Sequence, residues 1–347
     1  MTKMASAASD TATRDAAPSA RARVAVAGAT GYAGQELVRL LARHPAVALT
    51  ATMSSGATSA PRPLPALKRI WDDPVTPLDI DRLAESADVV FLALPETAAA
   101  KAGAALVQRG VRVVDLSGAF RIRNDADRRR WYPATTTLPA GVVYALPERS
   151  ADSIRRAKLA SCPGCYPTAA LLALEPLAAA GLLDGAIVID AKSGISGAGK
   201  TPSDRTHFCE NHGSVAAYSI FSHRHAPEIE QELGMEVTFV PHLVPLDRCI
   251  LESIYVSVRC GTTESQVAGA LQEAYASTPF VRLTGSDLPE IKHVAHTNFC
   301  DIGWRVDGSR SRAVLIVVLD NLLKGAAGQA IQNLNIMLGI DERMGLV

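Results

Sequence analysis

Hydrophobic positions along this chain fall into short, wholly apolar runs separated by amphipathic stretches. Val24-Ala25-Val26-Ala27 is such a run, stopped at once by glycine, and its shortness predicts a buried strand. Behind it Leu37, Val38, Leu40 and Leu41 recur at the spacing of one helix face. Further runs at residues 47–52, 88–94 and 111–117 predict three more strands, and the Ala-rich residues 96–108, with Gly103 among them, predict a helix between the last two. Strand, helix and strand in that order make a parallel sheet with helical crossovers. Past about residue 158 the period changes. Residues 187–191 are another apolar run, and residues 249–259 alternate Ile250, Glu252, Ile254, Val256 and Val258 with Leu251, Ser253, Tyr255 and Ser257. Such alternation marks a half-buried antiparallel strand, so with a strand at 313–319 a mixed sheet is expected in a second domain. The last helix is expected over about residues 325–338.

The first strand empties into Gly28-Ala29-Thr30-Gly31-Tyr32-Ala33-Gly34. Glycines there let the backbone turn sharply and approach a pyrophosphate at a helix N-terminus, the physics of the Rossmann fingerprint at altered spacing. The second strand, where an NAD-type fold places an acid on the ribose hydroxyl, is followed instead by Met53-Ser54-Ser55-Gly56, and the first acid after the helix is Asp72. Without that carboxylate a 2′-phosphate meets no repulsion, and hydroxyls can bond it, which favours NADP over NAD. Leu94-Pro95 and Ser117-Gly118 end the next strands at the same edge and are expected to wall the cofactor site.

The fold class is therefore α/β: an N-terminal Rossmann NADP-binding domain over residues 22–158, a second domain with a mixed sheet over 159–318, and a C-terminal helix within 319–347. Residues 1–21 are rich in Ala, Ser and Thr and lack aromatic residues. They cannot offset their ordering entropy and read as a flexible tail. With 35 basic against 35 acidic residues in 347, no net field favours nucleic acid or an anionic membrane, and the expected partner is a small molecule. No uncharged apolar run approaches the ~20 residues that span a bilayer. Six cysteines are too few for a disulfide scaffold, and no secretory signal is recognised, so a reducing cytoplasm is expected.

The chemistry concentrates at Ser161-Cys162-Pro163-Gly164-Cys165-Tyr166-Pro167-Thr168, which opens an apolar helical segment. Free N–H groups and the helix dipole at such a turn favour thiolate over thiol, the setting of a nucleophile. A small buried residue, or a redox pair of Cys162 with Cys165, fits the same spacing. His223-Arg224-His225-Ala226-Pro227-Glu228-Ile229 is the densest histidine cluster, with the pKa range for acid/base work, although a solvated surface cluster reads the same way. Residues 193–200, Ser-Gly-Ile-Ser-Gly-Ala-Gly-Lys, offer N–H donors and a cation to oxyanions. His207, Cys209 and His212 match no familiar zinc spacing, and no metal is expected.

These motifs, with Asp115-Leu116-Ser117-Gly118-Ala119-Phe120-Arg121 and Asn321-Leu322-Leu323-Lys324-Gly325-Ala326-Ala327-Gly328-Gln329-Ala330, occur in an order that resembles the N-acetyl-γ-glutamyl-phosphate reductase family of arginine biosynthesis across about residues 22–340. The resemblance implies that Cys165 is the nucleophile and His223 the acid/base, that the second domain is an α+β substrate and dimerisation domain with the C-terminal helix returning to the Rossmann domain, and that the enzyme is a homotetramer or homodimer. In the reaction it implies, the thiolate attacks an acyl phosphate, phosphate leaves, and NADPH reduces the thioester to a semialdehyde. Gly28, Thr30, Gly31, Tyr32, Ala33, Gly34, Ser54, Ser55, Leu94, Pro95, Ser196, Gly197 and Asn321 are the expected cofactor residues. Ser117, Arg121 and Lys200, with Glu210 and Tyr218, are the expected substrate residues. Cys162 departs from the family pattern, where Asn often stands, and puts a second thiol near the nucleophile. Aspartate-semialdehyde dehydrogenase, a carrier-linked reductase of lysine biosynthesis, and a non-catalytic NADP sensor are the rival readings.

Overall fold

The computed structural model of the chain describes residues 21–56 and 60–347; the expected tail, apart from Arg21, lies outside them. Seven strands form the first sheet: β1 (Ala22–Ala27), β2 (Val47–Ser54), β3 (Thr76–Pro77), β4 (Val89–Leu92), β5 (Arg112–Asp115), β6 (Val142–Tyr144) and β7 (Leu159–Ser161), in the order β3-β2-β1-β4-β5-β7-β6. Every pairing is parallel. All the strands therefore end at one edge, and that edge carries the glycine turn after β1, Ser117 after β5 and the cysteine turn after β7. The first sheet extends past the expected domain boundary at residue 159. Leu159–Ser161 pairs with β5 and β6, so the first domain runs to the cysteine turn itself.

The second sheet consists of β8 (Leu183–Gly194), β9 (Ala216–Ala217), β10 (Thr238–Val244), β11 (Ile250–Val258), β12 (Val281–Gly285), β13 (Cys300–Asp307) and β14 (Arg312–Leu319), in the order β12-β13-β14-β11-β8-β10-β9. Parallel and antiparallel pairs mix, as the alternating pattern of residues 249–259 implied. One side of this sheet is dry. Ile250, Ile254 and Val256 of β11 and Leu315, Val317 and Leu319 of β14 pack there with Ala169, Leu171, Leu172 and Leu174 of the Cys165–Ala179 helix.

That helix starts at the edge of the first sheet and buries its length under the second, which fixes Cys165 at the junction of the two domains. After β14 the chain returns through a π-turn, Leu323–Ala327, and the helix Gly328–Leu338. Ala330, Ile331, Leu334 and Met337 pack with Val24, Val26, Leu37 and Val38 in the core of the first domain. Among the described residues no helix is long and apolar enough to cross a membrane.

Candidate active site

The glycine turn is dictated by close approach. Gly28 has φ +96°, and a Cβ there would stand 2.1 Å from the Ala93 carbonyl oxygen; one at Gly34 would stand 2.1 Å from the Gly28 oxygen. No other residue type fits either position. Gly31 then caps the Tyr32–Leu41 helix without a side-chain bond, leaving its first N–H groups directed at the cleft.

A cleft of about 300 Å³ lies at this edge, lined by Gly31, Tyr32, Ala33, Gly34, Leu94, Ser117, Arg121, Cys165, Ser196, Gly197, Lys200 and Asn321. It thus gathers most of the residues expected from sequence into one place. Pro95 caps the Glu96–Gln108 helix beside it. Asn321 ties the loop to its neighbours, Nδ2 donating to Ser196 Oγ (3.0 Å) and Oδ1 accepting from the Cys249 N–H (2.6 Å). Lys200 reaches across the domains, Nζ donating to the Thr30 carbonyl oxygen at 3.3 Å. Thr30 and Ser54 meet at the end of β2, their hydroxyl oxygens 3.4 Å apart, and Ser55 is exposed beside them. The donors and the acid-free β2 end fit NADP.

Around the cysteine turn the polar groups are closely bonded. Arg121, buried, donates from Nε to the Cys162 carbonyl oxygen (2.8 Å) and from Nη2 to the Leu116 oxygen (2.9 Å), with Nη1 3.3 Å from Glu228 Oε2. Most of its fork is spent on holding the turn. Ser117 is engaged as well, its hydroxyl and N–H donating to the Asp115 carboxyl at 2.9 and 3.2 Å. Glu228, fully buried, accepts from the Gly164 N–H (2.8 Å) and the Tyr144 hydroxyl (2.9 Å). In the histidine motif the sequence alone gives Glu228 no role. Its place one helical turn after His225, just behind a first-turn proline, was the available signal.

The histidines divide. His225 shares the cleft with Cys165, and its Nε2 would stand 2.5 Å from a Cβ at Gly164. His223 lies behind it, ring centroids 4.7 Å apart, lining a neighbouring cleft with Trp131, Phe221 and Phe239. Its Nδ1 accepts the His225 N–H at 3.1 Å. Burial, and after it the nearby Arg224 charge, lowers His223 to about 4. Burial also lowers His225 well below the usual imidazole value. Against the expectation of a ready thiolate, burial pushes the Cys165 thiol up to about 11; the Arg121 charge and the Tyr166 N–H oppose this without overcoming it. Burial thus favours the thiol form of Cys165 and the neutral form of both imidazoles.

Glu210 and Tyr218 are not brought to this cleft. They line a separate pocket of about 200 Å³ with Arg205 and Ser214, although Tyr218 touches the site's rear, its hydroxyl 3.4 Å from that of Tyr166. Cys162 is buried on the other side of the turn and its Sγ accepts from Asn333 Nδ2 at 3.4 Å. All six cysteines are unpaired. Sequence reasoning also missed Arg224 and Glu96, which line the cleft and form an ion pair across it.

The profile described as "Semialdehyde dehydrogenase, NAD binding domain" matches residues 23–157, and "Semialdehyde dehydrogenase, dimerisation domain" matches residues 165–321. Aspartate semialdehyde dehydrogenase II of Vibrio cholerae, solved with ASA, superposes with a TM-score of 0.70 at 19% identity, covering 92% of this chain and 99% of that one. The Candida albicans aspartate semialdehyde dehydrogenase with NADP gives 0.71 at 18% identity and the same coverage. At that identity the likeness concerns the fold. Sequence relatives are nearer: N-acetyl-gamma-glutamyl-phosphate reductase of Syntrophobacter fumaroxidans is 45% identical over 336 residues, 93% of this chain and 97% of its own length. The protein of that name from Desulforudis audaxviator is 44% identical over 339 residues, covering 94% and 98%. With an ordered match from the glycine turn to the C-terminal helix, the chain belongs to the N-acetyl-gamma-glutamyl-phosphate reductase family.

Proposed function

We propose that this chain is an NADP-dependent oxidoreductase that reduces N-acetyl-L-glutamyl 5-phosphate to N-acetyl-L-glutamate 5-semialdehyde and phosphate, a step of arginine biosynthesis. The observation that carries the reading is a single interdomain cleft that holds the glycine turn, Cys165, Arg121 and His225 together. Cys165 as thiolate attacks the acyl carbon, the C–O bond to phosphate breaks, and a thioester remains on sulfur. NADPH supplies the hydride when bound between the Gly31–Gly34 turn, Leu94 and the Ser196-Gly197 loop. The sulfur then leaves the reduced carbon as the carbonyl reforms, and the aldehyde is released.

The acid/base comes from the His223–His225 pair. Sequence resemblance names His223; the contact of His225 with Gly164 favours His225 for protonating the oxygen on the reacting carbon, with His223 behind it. Burial that holds both rings neutral makes a proton on His225 easy to give away. Arg121 holds the cysteine turn and offers its charge to the thiolate, while Lys200 and Ser117 face the substrate's phosphate and carboxylate. Glu210 and Tyr218 support the rear wall from the adjoining pocket. The matched dimerisation domain supports a homo-oligomer, which we take to be a dimer or tetramer. Unpaired cysteines suit a reducing cytoplasm.

The test is phosphate-dependent NADP reduction with N-acetylglutamate semialdehyde, with phosphate omitted as the control. Cys165→Ser abolishes it and leaves NADP binding intact; an active Cys165→Ser chain refutes the covalent route. His225→Asn is expected to lower turnover about 10²-fold or more. A larger loss in His223→Asn returns the role to His223.

A further inference from the structure

At the end of β2 a guanidinium stands over two hydroxyls. Arg62 Nη2 lies 3.3 Å from Ser54 Oγ and 3.5 Å from Thr30 Oγ1, and these oxygens are 3.4 Å from each other. Such contacts are at the outer limit of a hydrogen bond and hold the charge weakly. The Arg62 backbone, by contrast, is fixed: its N–H donates to the Val75 oxygen at 3.1 Å and its oxygen accepts from the Val75 N–H at 2.8 Å. A cation is thus mounted on an anchored backbone and aimed at the place where Thr30 of the glycine turn meets the end of β2.

Its partners among the described residues are these hydroxyls and no carboxylate. The nearest acid in sequence, Asp72, turns back on its own loop and accepts the Arg69 N–H at 2.9 Å. In a parallel sheet of this kind, the ribose of the adenosine half lies at this edge, and an acid there receives its 2′-hydroxyl. A planar guanidinium with two hydroxyl donors has the opposite preference. It matches a phosphomonoester dianion, which takes paired N–H bonds and adds O–H bonds on its remaining oxygens.

We propose that Arg62, with Ser54 and Thr30, forms the site for the 2′-phosphate of NADP and thereby sets the cofactor choice of this chain. Ser54 and Thr30 are legible in the sequence because Ser54 ends β2 and Thr30 sits in the glycine turn that follows β1. Arg62 is not, since it stands eight positions beyond Ser54 and is carried back over β2 by its pairing with Val75.

The inference rests on the cofactor site alone, so it is tested on the full chain carrying Cys165→Ser, where binding is read without chemistry. Calorimetric titration of Arg62→Ala is expected to show NADPH affinity down by roughly ten- to a hundred-fold, the usual worth of a charge-assisted hydrogen bond, with NADH affinity within about twofold. Arg62→Lys, which keeps the charge and loses the fork, falls between. Competition with 2′-AMP and 5′-AMP isolates the group, because only 2′-AMP loses affinity in Arg62→Ala. Unchanged NADPH affinity, or equal losses for NADPH and NADH, overturns the proposal and makes Arg62 a clasp for its own loop.

Discussion

A methyl group at position 164 would stand 2.5 Å from His225 Nε2 and 2.9 Å from Arg121 Nη1. The hydrogen of Gly164 is therefore what lets the imidazole and the guanidinium close on the cysteine turn. Gly164→Ala has to push one of them aside, and a displacement of about 1 Å at a reacting centre costs on the order of 10²-fold in rate. Turnover is expected to fall by that much while NADPH affinity, measured by titration, stays unchanged. Burial of the same turn makes the Cys165 thiol reluctant to ionise, against the pull of the Arg121 charge. Its pKa is raised to about 11, so the protonated form dominates at neutral pH, and the thiolate fraction grows about tenfold with each pH unit below that value. Inactivation by iodoacetamide is expected to accelerate about tenfold per pH unit, roughly a hundredfold between pH 7 and 9, with no plateau. A plateau near pH 7 would mean that the helix terminus outweighs burial.

The π-turn and final helix work as a brace on the nucleophile's helix. A Cβ at Gly325 would lie 2.8 Å from the Cβ of Cys165, Gln329 Nε2 donates to Thr168 Oγ1 (2.9 Å), and Asn333 bonds Cys162 and the Ala145 oxygen. Lys324 anchors the brace with no exposed side-chain surface, its Nζ 2.5 Å from Glu148 Oε1 and 2.8 Å from Gln332 Oε1. Removing one member of a buried ion pair strands the other charge, at a cost of about 3–5 kcal/mol. Lys324→Met is expected to lower unfolding free energy by that order in a denaturant titration, and Lys324→Met with Glu148→Leu to regain most of it. None of this was legible from periodicity. The Glu96–Gln108 helix and the β11 strand were, because a long helix or an alternating strand repeats its signal over many residues. β6 and β7 have three residues each, too few for any period, and so the domain boundary fell before β7 instead of after it. The cleft's residues were found where backbone chemistry marks them, at glycine turns and the Cys165 turn. Glu228, Arg224 and Arg62 were missed because only long-range packing gives a charged side chain its partner.

The two domains meet through charged contacts: Arg224 with Glu96 across the cleft, Arg248 with Glu36 at 2.8 Å, and Lys200 with the Thr30 oxygen. What remains open is the second face of the second sheet. Among the described residues helices cover only the side of Ile250 and Ile254, and the outward row of β11 is Leu251, Ser253, Tyr255 and Ser257. Tyr255 pairs with Val188 on one flank and Val314 on the other, a cross-strand apolar row that lines an open hollow, with Tyr255 46% exposed. Antiparallel strands tolerate water on one face when that face is polar; this row is not. Because this row lies inside the matched dimerisation domain, a second copy is expected to pack its identical row against it about a twofold axis. Tyr255→Glu puts a charge on both sides of such an axis, where each copy meets its like and neither is solvated. Sedimentation of this variant is expected to show a protomer mass at concentrations where the unaltered chain shows a multiple of it, with secondary structure unchanged by circular dichroism. An unchanged mass would move the interface to another face of the molecule.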